Sequence, residues 1–306
     1  MDFDGDGHLD IISGSYMPGD LFIFRGREDG TFAKGVEITD AKGDKLNAAA
    51  AESLNGRNYD TQGLAAVPFA SDWENDGDLD LLVGNIVGNV VLIRNDAAAP
   101  GDPPRFSTER VLLEAGGNTI AVGGGDSGPV VADWNGDDLP DLVVGCGDGS
   151  VMFYRNEGSR EAPAYAKGKA LIPAQPHSRN GTEIKPGTRS KICVVDYNHD
   201  GALDLLVGDF ASVNTPPPDL DEAAIRKRDA LRARSQILSS EFSRIYQELA
   251  EQSDGNIDPS ALQENEAYSK VMEEYSAVAS ELQKLEGGYS SHGWVWLYLQ
   301  KTANPE

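Results

Sequence analysis

Asp72-Trp73-Glu74-Asn75-Asp76-Gly77-Asp78-Leu79-Asp80-Leu81-Leu82-Val83-Gly84 places acids at every second position from 72 to 80, then runs apolar into a glycine. A loop that curls alternate side chains inward can offer several carboxylate oxygens to a hard cation. The apolar run has the length and β-branched content of a strand. The stretch reads as a metal loop feeding a strand.

The same pattern stands at three other places: Asp2-Phe3-Asp4-Gly5-Asp6-Gly7-His8-Leu9-Asp10, Asp133-Trp134-Asn135-Gly136-Asp137-Asp138-Leu139-Pro140-Asp141 and Asp196-Tyr197-Asn198-His199-Asp200-Gly201-Ala202-Leu203-Asp204. Positions one, three, five and nine carry a side-chain oxygen in every copy, and position two is aromatic (Phe3, Trp73, Trp134, Tyr197). The repeats start at 2, 72, 133 and 196, with spacings of 70, 61 and 63 residues. Periods of this kind mark a repeat architecture.

Each repeat predicts the same strands. One precedes the loop (64–70, 129–132, 191–195) and a second leaves it (9–13, 79–83, 141–144, 203–207). A third follows a glycine-containing turn (20–25, 89–94, 150–155, 293–299), and a fourth comes at 31–38, 105–113 and 164–172. Short antiparallel strands punctuated by Gly and Asn suit a propeller blade better than a sandwich. The expected fold is an all-β propeller of about four blades, incomplete or open. The third strand ends alike in Phe24-Arg25-Gly26, Ile93-Arg94-Asn95 and Tyr154-Arg155-Asn156. That arginine is expected either to cap or pair with a neighbouring blade or to end in solvent.

Residues 219–286 lose the strand pattern after Pro216-Pro217-Pro218. Leu231, Leu238, Phe242, Ile245 and Leu249, then Tyr268, Met272, Tyr275, Val278, Leu282 and Leu285, recur at helical steps with a narrow, coiled-coil-like seam. Asp219 with Glu222 resembles a capping box, and Asp258-Pro259 an N-cap followed by proline at the first helical position. A turn is expected at 253–256 and an end at Gly287-Gly288. Two helices of about 30 residues would each reach roughly 45 Å. The third strand of repeat four comes only after them, so they form a hairpin inserted in a blade. The organisation is blades over 1–215, the helical hairpin over 216–288, and the returning strand within 289–306.

Against 50 acidic residues stand 26 basic ones, a net charge of −24. That balance argues against nucleic acid and anionic membranes as partners. Sixteen of the acids lie in the four loops, where four divalent ions would offset 8 units of charge. No run approaches the roughly 20 apolar residues of a membrane span, and no signal peptide precedes the first loop. Met1 stands where Ser71, Ala132 and Val195 end the other lead strands. The expectation is an N-terminally truncated piece, or a mis-started reading frame, of a longer protein. Cys146 and Cys193 both fall on apolar strand patterns and are expected as buried free thiols, with a disulfide left open.

An EF-hand also opens with acids at one, three and five, but it needs a Glu at twelve and flanking helices. Position twelve here is Ser13, Val83, Val144 or Val207, and position nine supplies the last acid. Position seven (His8, Asp78, Leu139, Ala202) varies, which fits a backbone carbonyl ligand. Asp-x-Asp-x-Asp-Gly-x-x-Asp followed by Leu-Leu-Val-Gly resembles the FG-GAP/VCBS repeat of integrin α-subunit propellers and many secreted bacterial proteins, over residues 1–215 and 289–301. The resemblance implies up to four structural Ca²⁺ ions, a β-propeller and an extracytoplasmic setting. The ligand positions it implies are Asp2, Asp4, Asp6, His8 and Asp10; Asp72, Glu74, Asp76, Asp78 and Asp80; Asp133, Asn135, Asp137, Leu139 and Asp141; and Asp196, Asn198, Asp200, Ala202 and Asp204. Asp138 departs from the usual turn glycine, so its loop is expected to be strained or weaker.

No catalytic constellation emerges. The four histidines are scattered, two of them in the loops, and the acid pairs are already committed to cations. The run Gly123-Gly124-Gly125-Asp126 reads as a loop before a strand, since a phosphate cradle would need a lysine and a following helix. Trp294, Trp296 and Tyr298 alternate along one strand, as packing between blades or, alternatively, as a carbohydrate-stacking face. The hairpin seam reads as its own helix–helix interface, or as an arm for a partner. The functional expectation is a non-catalytic, calcium-binding module for extracellular binding, adhesion or scaffolding, with a protein or glycan ligand. The alternative is a carbohydrate-binding propeller or an accessory part of a polysaccharide-degrading enzyme.

Overall fold

The structure is a computed structural model and describes residues 2–49, 63–97, 103–176, 178–180, 184–252 and 265–301. Among the described residues it is mostly β-sheet with two helices, and the chain divides into two compact units. The first unit comprises residues 1–177, 185–211 and 292–306, and the second residues 178–184 and 212–291.

In the first unit, β1 (Ile11–Gly14), β2 (Leu21–Phe24) and β3 (Val36–Glu37) form one antiparallel sheet. A second sheet is β4 (Val67–Ser71), β5 (Asp80–Gly84), β6 (Val90–Ile93) and β7 (Val111–Leu112), followed by the small hairpin β8 (Glu114–Ala115) and β9 (Asn118–Thr119). The third is β10 (Gly128–Ala132), β11 (Asp141–Gly145), β12 (Val151–Tyr154) and β13 (Lys169–Ile172). After β14 (Ser178–Asn180) of the second unit comes β15 (Thr188–Val195), which pairs with β16 (Asp204–Thr215) in the fourth sheet. The outer strands are shorter than expected because the chain first makes single bridges, Gly26 to Phe32, Asn95 to Phe106 and Asn156 to Tyr165. β16 runs past its expected end at 207.

The period-2 alternation of a strand lets each sheet bury both faces. Counting from the first loop residue, positions ten and twelve face the preceding sheet and position eleven the following one. Leu81 and Val83 pack with Leu21 and Ile23 of the first sheet, while Leu82 packs with Leu142 and Val144 of the third. Val143 in turn packs with Leu205 and Val207. Each fully buried Leu or Val contributes about 1.5–3 kcal/mol. β4 packs against β1 and β10, and β10 against β15.

The aromatic at position two fills the same interface. Phe3 lies 6.0 Å from Phe106, Trp73 lies 5.9 Å from Tyr165, and Trp134 packs on the cluster of Val143 and Leu205. The glycine at position thirteen is fixed by close approach. A Cβ on Gly14, Gly84 or Gly145 would stand 2.1, 2.2 or 2.3 Å from the carbonyl oxygen of Ala66, Ser127 or Ser190 in the following repeat. The run Gly123-Gly124-Gly125-Asp126 is a turn before β10, as read from sequence.

The second unit holds the helices α1 (Glu222–Gln252) and α2 (Glu266–Glu286), with β14 parallel to the end of β16 and β17 (Gly288–His292) also on β16. Asp221, not Asp219, caps α1: its Oδ1 accepts the Ala224 N–H at 2.8 Å. Asn265 caps α2 through the Tyr268 N–H at 2.9 Å, and Gly287 ends it at φ 68°. The Asp258-Pro259 start and the turn at 253–256 lie outside the described residues. The seam between the helices buries Leu238, Ile245 and Val278, with Phe242 5.5 Å from Tyr268. Arg234 holds Glu274 through two bonds of 2.7 Å, an exposed pair that contributes little to stability.

The last strand, β18 (Val295–Tyr298), belongs to the first unit and pairs with β16, Leu206 opposite Leu297. Trp296 and Tyr298 pack on the Val143 and Leu205 cluster, as the packing reading expects. The thiols differ from expectation. Both are free, but only Cys146 is buried, while Cys193 is exposed because the face of β15 it occupies carries no further sheet among the described residues.

Candidate metal centres

All four loops fold by one set of bonds. Position one accepts twice: Asp6, Asp76, Asp137 and Asp200 donate N–H to Oδ1 of Asp2, Asp72, Asp133 and Asp196 at 3.0–3.1 Å. The next residue (Gly7, Gly77, Asp138, Gly201) donates to Oδ2 at 2.9–3.2 Å. Position five takes the N–H of position seven, as in His8 to Asp6, Asp78 to Asp76, Leu139 to Asp137 and Ala202 to Asp200. These bonds require left-handed backbone at positions four (Gly5, Asn75, Gly136, His199) and six (Gly7, Gly77, Asp138, Gly201). Asp138 meets this at φ 66°, so the third loop keeps its shape at a local strain.

Position nine works differently. Asp10, Asp80, Asp141 and Asp204 are buried. One oxygen accepts the N–H of position two (Phe3, Trp73, Trp134, Tyr197) at 2.9–3.2 Å. The other accepts, at 2.8 Å, the N–H just beyond the third strand: Gly26, Asn95, Asn156 and Gln300. These carboxylates lock loop to strand whatever else they hold.

The repeats differ in how they balance charge. In the first, Asp2, Asp4 and Asp10 each bring an oxygen within 4.8 Å of the others. Arg25 lies 3.0 Å from Asp4 and 3.1 Å from Asp10. Burial pushes the Asp10 carboxyl up, but the Gly26 and Phe3 N–H groups and Arg25 outweigh it and hold it low. In the second, five acids share the loop, and Arg94 reaches Glu74 at 3.5 Å. Burial, then Asp76 and Glu74, push Asp78 up to about 6. Burial pushes Asp80 up to about 7 against its two backbone donors.

Whether a cation suits this loop can be judged from its donors. Glu74 Oε2 and Asp78 Oδ1 are buried and accept no hydrogen bond among the described residues. Orphaned buried carboxylate oxygens are costly unless a cation meets them, and hard oxygen donors are what calcium takes. Repeat two therefore offers donors of the kind the ion takes, although among the described residues only Asp2, Asp4 and Asp10 converge within 4.8 Å, and the acids of repeats two to four do not. In repeats three and four, Asn135 and Asn198 replace one charge and donate to Asp137 and Asp200 at 2.9 Å.

The arginines divide between the two readings. Arg25 and Arg94 turn to the loop of their own repeat, not to a neighbouring one, while Arg94 and Arg155, which pairs with Glu157, stay half in solvent. The signal for the lock was the aligned Arg-Gly or Arg-Asn ending, whose second residue supplies the locking N–H. Asp209 makes a further lock in repeat four, accepting from Trp294 N–H at 2.8 Å and Trp296 Nε1 at 2.7 Å.

Residues 2–59 and 133–207 match the family model of the FG-GAP-like repeat. Comparison with curated proteins gives no match. Among solved structures, the Photorhabdus luminescens Tc holotoxin pore is similar at 18% identity over 68% of this chain, with a TM-score of 0.32. The matched part is 8% of that chain.

Proposed function

The chain is an FG-GAP-like repeat protein, its repeats matched at residues 2–59 and 133–207, and on that premise we propose a calcium-binding β-propeller module that works outside the cytoplasm by binding, not catalysis. The observation that carries the calcium reading is the pair of buried, unpaired oxygens on Glu74 and Asp78. Repeat two would hold the ion with Asp72, Glu74, Asp76 and Asp78, beside the locking Asp80. The corresponding sets are Asp2, Asp4, Asp6 and Asp10, then Asp133, Asn135, Asp137 and Asp141, then Asp196, Asn198, Asp200 and Asp204. The ion would neutralise mutually repelling carboxylates and stabilise the fold by mass action, by about 2.7 kcal/mol at a hundred times Kd. Extracellular sites commonly bind at about 10⁻⁴–10⁻³ M.

The propeller reading is supported by consecutive sheets that pack through the same positions. No helix among the described residues is long and apolar enough to cross a membrane. The ligand of the module is a protein or a glycan.

Terbium replacing calcium tests the reading, because Trp73 and Trp134 sit inside the second and third loops and would sensitise its emission. Sensitised emission displaced by millimolar calcium, with a melting temperature that falls on chelation and returns with calcium, is expected. A melting temperature indifferent to calcium together with dark terbium would overturn it.

A further inference from the structure

The helical hairpin carries an apolar stripe besides the seam that holds it together. The seam buries Leu238, Ile245 and Val278. To one side of it lies a groove of about 290 Å³ lined by Ser239, Phe242, Tyr268, Val271, Met272 and Tyr275. The Tyr246 ring stacks on Phe242 at 6.3 Å and extends the groove along α1. Residues 239, 242 and 246, and likewise 268, 272 and 275, recur at three- and four-residue steps, the spacing of a helix face that meets further helices. Tyr246 is 46% exposed, and Met272 and Tyr275 are 38% exposed. None of these seven side chains is charged, in a chain of net charge −24. Aromatic and methionine side chains with no charge among them are the composition of an interface core.

Charge and area both point to a second copy of the hairpin as the occupant. At the root, residues 222–235 with 275–286, six basic residues stand against four acidic ones. Toward the turn, residues 236–250 with 266–274, two basic residues stand against five acidic ones. A two-fold axis crossing the helices lays the root of each copy over the turn end of the other, basic over acidic at both ends. It also sets α1 against α1 and α2 against α2, with the uncharged stripe at the centre. An axis running along the helices would lay basic on basic and acidic on acidic. As for area, α2 spans 21 residues, so the face is about 30 Å long and, across two helices, about 20 Å wide. Closing two such faces removes roughly 1,200 Å² in total, above the roughly 1,000 Å² that a specific interface needs.

We infer that the hairpin is a dimerisation arm: two copies pair face to face through this stripe, antiparallel, as a four-helix bundle. The contact is isologous, each copy offering the same patch, and it closes at two copies. The inference rests on the hairpin alone and not on calcium binding.

The test uses the full chain at fixed calcium in analytical ultracentrifugation, from low to high micromolar concentration. Wild type should double in mass with concentration and stop there, and the dimer should weaken as salt screens the attraction of root to turn. Met272→Glu and Tyr246→Glu, one on each helix, should each raise the dimer dissociation constant about tenfold or more. Circular dichroism checks that each variant keeps its helices, and either one suffices. Ile237→Glu is the control. Ile237 is 50% exposed but stands half a turn round α1 from Tyr246, so its substitution should leave dimerisation unchanged. A wild type that stays monomeric would overturn the inference and leave the groove to another chain. Growth beyond a dimer, a dimer indifferent to the folded stripe variants, or one that tightens with salt would overturn it as well.

Discussion

Asp80 Oδ1 accepts the backbone N–H of Asn95 at 2.8 Å, and this bond recurs at the same length from Asn156 to Asp141 and from Gln300 to Asp204. The first two span 15 residues of sequence, the last 96. Repeat four is therefore closed by the same lock across the helical insertion. The insertion falls between the strand that leaves the loop and the strand that returns to it, where it leaves the lock intact.

The lock makes a stability prediction. Asp141→Ala strands the N–H groups of Trp134 and Asn156 in a buried setting, at about 1–3 kcal/mol each. Unfolding in urea should show a loss of about 3 kcal/mol for Asp141→Ala without calcium and a larger one with it, since Asp141 also belongs to the proposed ligand set. Asp133→Ala, at a half-buried position-one carboxylate whose backbone bonds lie at the surface, should lose most of its effect once calcium is removed.

The packing rule predicts a contrast between two glycines that look alike in sequence. Gly84→Ala drives a Cβ to 2.2 Å from Ser127 O, so backbone must shift, at about 1–3 kcal/mol. Gly208→Ala meets Lys191 O at 3.6 Å, an ordinary contact, and its effect should stay within about 0.5 kcal/mol. Equal losses at both would mean that the two glycines do not differ in surroundings.

Much of this was legible in the residues. Loop, strand and turn repeat in register, so aligning four copies located the strands beside each loop to within a few residues, though not β14 or the extension of β16 to Thr215, and the helices showed their own period. The partners of the loop acids were not legible, because Arg25 and Arg94 could have reached any acid within a side chain's length. Exposure of Cys193 was not legible either: its neighbours read as an apolar strand, and only the count of sheets says which face is covered. The buried oxygens of Glu74 and Asp78 depend on how the loop curls, which alternation suggests but does not fix.

Asp138 tests the left-handed turn. Its φ of 66° suits glycine and is tolerated by aspartate better than by branched residues. Asp138→Val should destabilise by about 1–2 kcal/mol, while Asp138→Gly should be neutral or gain up to about 0.5 kcal/mol, the relieved strain set against a more flexible unfolded chain. Thermal melts of the two variants beside wild type read the order directly. Valine matching glycine would show that the turn is not held in this conformation in solution.

The thiols give a pH prediction with a definite sign. Burial, with Asp148 adding to it, pushes the Cys146 thiol up from 9.0 to about 11, and burial raises the neighbouring Tyr154 and Tyr165 hydroxyls as well. Above pH 9 the unfolded chain loses the thiol proton while the folded chain keeps it, so unfolding becomes easier as pH rises from 9 to 11. At about 1.4 kcal/mol per pKa unit the thiol alone accounts for roughly 2–3 kcal/mol over that window. Cys146→Ala should flatten the fall without abolishing it, since the tyrosines act in the same sense. A maleimide at neutral pH should modify one thiol per native chain, the exposed Cys193, and reach Cys146 only on unfolding. Rapid modification of both thiols in the native chain would place Cys146 outside the core that β11 and β12 build around it.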